Sequence, residues 1–347
     1  MRLGEKVRAF LELSRISNVP TVISNAFAGS AVGALAIGNT SLSAVAGNGT
    51  VVAAACSLFY IAGMALNDLA DREIDRAERP SRPIPSGRVT PEAAFGYACV
   101  LIVAGLSLLL LVDAAALITG GVLVALVLAY DLLHTRTRWS VLLMGACRGA
   151  VVVAGALAFG MPSQPIVVML PAALLLLYVA AFSLVARHEA DLLTPKPKEE
   201  CPRCSYPART ASERCPECGT DFLPKPPTAD DLRRRAVFGR LLGGLPLLSA
   251  VLLHSAFTPA RPPSAMDILI IVLLITTIGF LLAWTTTAAR LVEQTPPKIG
   301  PAVTMWIAGI SIADAYLALL CRSPSVACLC IACFFLTRAG QRRIAGT

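Results

Sequence analysis

Charge is what this sequence has little of. Of its 347 residues only 15% are Asp, Glu, Lys or Arg, His occurs three times, and 56% are hydrophobic, giving a mean hydropathy of +0.69. A water-soluble globule needs a far more charged surface, which excludes that class. Period-two alternation bounded by turns is also missing, and with it a transmembrane β-barrel. No convincing cleavage site follows the basic segment Arg2 to Arg15 before the second apolar run, so the first run reads as a span and not as a removable signal.

What is present is a series of charge-poor apolar runs, most near the roughly 20 residues that cross a bilayer core as helix. They fall at 18–37, 44–66, 93–112, 114–130, 139–160, 165–186, 241–260, 268–289 and 301–320, with a shorter run at 323–337. The expected fold is all-α: a polytopic transmembrane helical bundle of nine spans, or ten if 323–337 also crosses. The Leu, Ala, Val and Gly content suits helices packed on one another. With the N-terminus inside, 27 of the 30 Lys and Arg residues lie on the cytoplasmic side, as basic residues in short loops prefer. Three of those 27, the C-terminal arginines, lie inside only if 323–337 returns across the membrane. This topology accounts for the net charge of +8 without a nucleic-acid partner. The expected place is the inner or plasma membrane, with the N-terminus and both long polar segments cytoplasmic.

The most informative of these segments is the loop after the second run. It reads Asn67-Asp68-Leu69-Ala70-Asp71-Arg72-Glu73-Ile74-Asp75, then Arg79-Pro80-Ser81-Arg82-Pro83-Ile84-Pro85-Ser86-Gly87-Arg88. On a helix, steps of three and four keep Asp68, Asp71 and Asp75 on one face, with Asn67 a turn behind Asp71. Three like charges at the end of a membrane helix repel unless a cation binds them, and Mg²⁺ shared with phosphate oxygens answers that need. Arg72, Arg79, Arg82 and Arg88 offer fork-shaped donors to a diphosphate. Pro80, Pro83 and Pro85 deny the stretch a helix and stiffen it as an extended loop. A solvated loop of self-neutralising charges accounts for an isolated DxxD, but not for the whole string.

That string, NDxxDxxxD followed by RPxRPIPSG, resembles the UbiA superfamily of intramembrane prenyltransferases, with wording nearest to its EboC-like, chlorophyll synthase-like and digeranylgeranylglyceryl phosphate synthase-like members. The resemblance implies an isoprenyl diphosphate donor bound through Mg²⁺, ionisation to an allylic cation, and transfer to a lipophilic or aromatic acceptor inside a lipid-facing bundle. Asp68, Asp71 and Asp75, with Asn67 assisting, would be the catalytic metal-binding groups. The chemistry is sound on its own terms, since Mg²⁺ and arginine neutralise a departing diphosphate and an apolar chamber keeps water from the cation.

The superfamily carries a second aspartate-rich motif after its sixth span, and here the DxxxD is missing. Arg187, Glu189 and Asp191 are the polar groups in that place. Glu189, in an RxEA string similar to the EboC-like branch, is the candidate for a second metal ligand, and its spacing from Asp191 sets the two on different helical faces. Superfamily members also carry a Tyr and a basic residue after the fourth span, which match Tyr130 and Arg136, with His134 where a lysine is usual. Arg148, inside a span, calls for an acidic partner such as Asp131 or Glu189, or contacts substrate. Asp314, in the ninth run, has no assigned role.

Residues 195–227 interrupt the transmembrane domain formed by 1–194 and 228–347. Cys201-Pro202-Arg203-Cys204 and Cys215-Pro216-Glu217-Cys218 are two CPxC knuckles whose four thiolates suit one tetrahedral Zn²⁺. A reducing cytoplasm argues against disulfides. So short a module takes most of its folding energy from the metal. Cys56, Cys99, Cys147, Cys321, Cys328, Cys330 and Cys333 read as packing residues. Arg233, Arg234 and Arg235 form a juxtamembrane run suited to anionic membrane lipids. Set against the enzyme reading is a non-catalytic isoprenoid-binding or transport protein that kept the first half-site and lost the second.

Overall fold

The computed structural model describes residues 3–134, 137, 139–193, 217–218, 234, 237, 240–249, 264–294 and 296–342, with backbone alone at 3 and 188–193. Among the described residues every regular element is helical. The order is α1 (Leu3–Leu13), a 3₁₀ turn (Ile16–Asn18), α2 (Val19–Ile37), α3 (Leu42–Ala70), α4 (Arg72–Glu78), α5 (Pro91–Leu109), α6 (Ala114–Leu133), α7 (Ser140–Leu157), α8 (Ile166–Leu193), α9 (Ala265–Val292), α10 (Ile299–Leu320) and α11 (Pro324–Gln341). Helix starts follow local chemistry. Thr90 accepts from the Ala93 amide ahead of Pro91, Asp113 accepts from the Ala115 amide, and Ser264 and Asp267 form a reciprocal capping box, each satisfying amides that a helix leaves unpaired.

Nine of the described helices are long and apolar enough to cross a membrane, as an integral membrane protein requires. The set differs from the sequence expectation at two places. The run at 241–260 is described only to residue 249. The short run at 323–337 is an 18-residue helix that continues to Gln341. Hydropathy falls at Thr337 and Arg338, but a helix with a long cationic side chain continues where that chain can lie along apolar surface. Arg338 does so over the Trp284 ring, 5.3 Å from its centroid. Gln341 Nε2 then donates to Asn18 Oδ1 at 3.3 Å and to the Thr304 carbonyl at 3.1 Å. The end of α11 therefore meets the starts of α2 and α10, which brings Arg338 and Arg342 to the end of the bundle where the basic N-terminal segment lies.

The centre of the bundle is held by close backbone approach. A Cβ placed on Gly29 or Gly33 of α2 would collide with the Val152 or Ala156 carbonyl of α7, and one on Gly155 with that of Ala26. Small residues at such crossings let two helices touch where lipid offers no hydrophobic drive. Around that seam α10 is the most enclosed span, 78% of its apolar window being buried, whereas 11% of the α9 window is. α9 leaves Ile268, Leu269, Ile271, Val272, Ile275 and Leu282 exposed, a surface suited to lipid.

The proline-rich stretch after α4 coils into consecutive turns where the sequence suggests an extended loop. Backbone bonds run from Ser86 to Arg82, Gly87 to Ile84 and Val89 to Pro83, each 3.0 Å. Prolines fixed near φ −65° suit turns as well as extended chain, and Gly87 takes the φ of +73° that one turn requires. Arg88 ties the loop to α1 through Glu12 at 2.6 Å.

Candidate functional site

At the end of the bundle where α2 and α7 begin and α3, α6 and α8 finish, the helices diverge around a cavity of about 420 Å³. Its deeper wall is apolar, with Met64, Val127, Met144, Val179, Phe182 and Ile307. Its outer wall carries Arg15, Asn67, Asp71, Arg79, Arg82, Tyr130, Asp131, His134 and Arg187. Six groups of this outer wall belong to the site set expected from sequence: Asn67, Asp71, Arg79, Arg82, Tyr130 and Arg187.

The three carboxylates expected on one helical stripe divide into two groups. α3 stops at Ala70, Asp71 adopts φ −85° and ψ 2° in the bridge region, and α4 starts at Arg72, while Asp68 and Asp75 still share one face and meet the same arginine. Asp68 accepts from Arg15 Nη2 at 3.0 Å and Arg82 Nη1 at 3.3 Å, and Asp75 accepts from the same Arg82 atom at 2.5 Å. Both side chains are 5% exposed, and the two arginines neutralise them. Asp71 instead faces the cavity, with Oδ1 2.8 Å from His134 Nε2. That hydrogen bond holds the His134 imidazole above the usual histidine range, and Tyr130 stacks on the ring at 5.3 Å. Arg72 is exposed, pairs with Glu73 at 3.3 Å and does not line the cavity.

A carboxylate that sequence reasoning treated only as a partner for Arg148 completes the outer wall. Asp131, from the last turn of α6, has the Asn67 amide as its side-chain partner. Its Oδ2 is buried and makes no hydrogen bond to the described residues. A buried carboxylate oxygen without a donor calls for a partner from outside the chain. Together Asp71, Asp131 and the Asn67 amide are a hard-oxygen set of the kind that fits Mg²⁺. Among the described residues no three His, Cys, Asp or Glu side chains gather closely enough to hold a metal by themselves, and Mg²⁺ commonly takes one or two carboxylates and completes its shell with water or phosphate. Arg15 is the other residue that sequence reasoning missed. Its signal was its place just before the first span, and it lies in the left-handed region at φ 42° with its guanidinium between Asp68 and the cavity.

Arg187 Nη2 donates to the His134 carbonyl at 2.5 Å, the Thr137 carbonyl at 2.8 Å and Ser140 Oγ at 2.8 Å. It thereby closes the connection from α6 to α7 at the cavity rim. Arg148 lines the cavity further in, and among the described residues its partners are neutral: Nη1 donates to Asn25 Oδ1 at 3.3 Å and the guanidinium lies 5.3 Å over the Tyr60 ring. Glu189 stands on the last turns of α8, where the backbone alone is described. Arg136 and the expected zinc ligands Cys201, Cys204 and Cys215 lie outside the described residues, and Cys218 is half-buried. Of the remaining cysteines, Cys56, Cys321, Cys330 and Cys333 are buried, while Cys99 and Cys328 are exposed.

The arrangement is an apolar chamber closed at one end by cations and two oxygen-rich acids. The profile of the UbiA prenyltransferase family matches residues 25–196. The digeranylgeranylglyceryl phosphate synthase of Ignicoccus hospitalis is 37% identical over 105 residues, 30% of this chain and 32% of the relative. That of Halobacterium salinarum is 32% identical over 159 residues, 46% of this chain and 55% of the relative. The chain thus spans about a third to a little over half of these curated relatives. Among solved structures, a UbiA homologue from Aeropyrum pernix is similar with a TM-score of 0.56 at 20% identity, covering 85% of this chain and 96% of that one. A UbiA homologue from Archaeoglobus fulgidus bound to GPP and Mg²⁺ is similar with a TM-score of 0.54 at 13% identity, covering 91% and 99%. At these identities the likeness establishes the helical fold.

Proposed function

The chain carries a UbiA prenyltransferase family domain, and from that premise we propose that it is an integral membrane prenyltransferase, which takes an isoprenyl diphosphate and passes the prenyl group to a lipophilic acceptor. The observation that carries the reading is that Asp71 and Asp131, whose Oδ2 makes no hydrogen bond to the described residues, line the arginine-rich mouth of one apolar chamber. An isoprenyl diphosphate has the matching shape of charge, with an anionic head and a long hydrocarbon tail.

Asp71, Asp131 and the Asn67 amide would hold Mg²⁺, which when bound supplies positive charge to the diphosphate and favours its departure. Arg15, Arg79 and Arg82 bind the diphosphate oxygens from the other side as fork-shaped donors. Asp68 and Asp75 keep Arg15 and Arg82 in place, and enter a metal shell only by giving up those ion pairs. Arg187 fixes the rim on which Tyr130 and His134 sit. Glu189, two residues beyond Arg187 on α8, is our candidate for a second metal ligand. The apolar wall from Met64 to Phe182 receives the prenyl chain and excludes water from the carbon that loses the diphosphate.

The relative from Archaeoglobus fulgidus, solved with GPP and Mg²⁺, supports the donor class and the metal. The curated relatives, named for a glyceryl phosphate lipid, support a lipid acceptor over an aromatic one. The clustering of Arg15, Arg79, Arg82 and Arg187 at one end favours a cytoplasmic face for this mouth. In the 195–227 insert we assign one structural Zn²⁺ to Cys201, Cys204, Cys215 and Cys218, on their spacing.

Membranes containing the protein, incubated with labelled geranylgeranyl diphosphate and Mg²⁺, test the reading. Release of diphosphate with label recovered in an acid-stable lipid is expected. Label retained as intact diphosphate across all lipid fractions offered as acceptors would favour a binding protein instead.

A further inference from the structure

A second polar cluster lies deep in the bundle, away from the mouth, on α2, α7 and α10. Asp314 Oδ2 accepts from Ser24 Oγ at 2.5 Å, and the Asn25 amide nitrogen donates to Asp314 Oδ1 at 3.0 Å and Oδ2 at 2.8 Å. Ser24 and Asn25 have no exposed surface and Asp314 has 3%. None of the three lines the chamber, whereas Arg148 and Tyr60 do. The link between the two sets is Asn25 Oδ1, which accepts from Arg148 Nη1.

The chemistry of these groups gives the cluster a direction. A carboxylate offers only acceptors, so the amide turned toward it must present its nitrogen. Asn25 Oδ1 is therefore fixed on the opposite side, toward Arg148. A pair built for stability alone would set the carboxylate against the guanidinium, because an arginine at membrane depth is costly without a counter-charge. Here a neutral amide stands between them, and no salt bridge to Arg148 occurs among the described residues. The guanidinium stays at the chamber wall over Tyr60, with most of its N–H groups uncommitted to the described protein.

We propose that Asp314 is a positioning residue for the transfer reaction: acting through Asn25, it aims the Arg148 guanidinium into the chamber as a contact for an anionic group of a substrate. The inference rests on the prenyl diphosphate reading of the chamber. Arg148 stands eight residues into α7, about 12 Å along the helix from its first residue. The anion is thus either the donor diphosphate reaching inward or a phosphate on the acceptor lipid.

The test is a double-mutant cycle on the full chain in lipid nanodiscs. Mg²⁺-dependent turnover of geranylgeranyl diphosphate is read beside the Kd of its unreactive thiolo-diphosphate analogue. Asp314→Asn should lower kcat/KM about tenfold, the equivalent of about 1.4 kcal/mol, and Arg148→Met should lower it further. The double variant should be no worse than Arg148→Met alone, since Asp314 acts only through that residue. A parallel rise in the analogue's Kd assigns the anion to the donor, and an unchanged Kd with lost turnover assigns it to the acceptor. The exchanged pair Asn25→Asp with Asp314→Asn sets a carboxylate directly on Arg148 and should return turnover to within about threefold of wild type. That arm decides the matter if Asp314→Asn alone does not yield a monodisperse protein. Wild-type turnover with an unaffected Asp314→Asn, multiplying defects in the double variant, or an exchanged pair tenfold below wild type overturns the role of Asp314 alone. A wild-type chain that neither binds the analogue nor turns over overturns the reading of the chamber as well.

Discussion

Arg82 Nη1 lies 2.5 Å from Asp75 Oδ2, and the same atom reaches Asp68 Oδ1 at 3.3 Å. One arginine from the proline-rich loop therefore ties the end of α3 to α4 across the break at Asp71. Removing it leaves Asp75 buried without its cation, whereas Asp68 keeps Arg15. Arg82→Ala should cost about 3 kcal/mol of stability, the scale of an uncompensated buried charge. Thermal unfolding in detergent reads the loss. Adding Asp75→Leu should recover most of the stability while leaving turnover low, because a diphosphate contact is still missing.

Arg187 holds the connection between α6 and α7 through two carbonyls and the Ser140 hydroxyl. A lysine retains the charge but not the fork that spans these acceptors. Arg187→Lys should speed tryptic cleavage after Arg136 and Arg138 and lower kcat/KM about tenfold. Cleavage at the wild-type rate would show that the connection is held by other means.

The span pattern was legible in the sequence because uninterrupted apolar runs leave few alternatives for a chain of this composition. The run at 323–337 was underestimated because hydropathy ends at Thr337, while the helix continues to Gln341 with Arg338 laid over Trp284. The acidic loop was legible as a string and misleading as a geometry. Helical spacing puts Asp68, Asp71 and Asp75 on one face, but it does not show that Arg15 and Arg82 occupy Asp68 and Asp75 and leave Asp71 to the cavity. Asp131 could not be read as part of the site, because its pairing with Asn67 joins residues 64 positions apart through the packing of α6 on α3. Arg148 reads from sequence as an intramembrane arginine in need of a partner, and its partners among the described residues, Asn25 and Tyr60, are neutral, which a search for acids does not find.

The seam between α2 and α7 should tolerate no side chain. Gly33→Ala would set a methyl group against the Ala156 carbonyl and should cost about 2 kcal/mol, in the range for overpacking. Gly47→Ala, where the same methyl group meets nothing within 4 Å, should be neutral or stabilising by a few tenths of a kcal/mol up to about 1 kcal/mol. Equal unfolding temperatures for the two variants would contradict the close approach.

The insert should bind metal in proportion to its thiolates. Protein purified without chelator should carry one Zn²⁺ per chain by elemental analysis, and Cys201→Ser with Cys204→Ser should abolish it. Zinc that persists in the double variant would remove the assignment.

The central claim is that Asp71 belongs to the group that binds the diphosphate through Mg²⁺. Turnover of labelled geranylgeranyl diphosphate by Asp71→Ala, compared with wild type in the same membranes at saturating Mg²⁺, tests it most directly. A fall of at least roughly 1,000-fold, about 4 kcal/mol in the barrier, is the expected result, with the protein still monodisperse in detergent. A folded Asp71→Ala protein that turns over within tenfold of wild type would contradict the account.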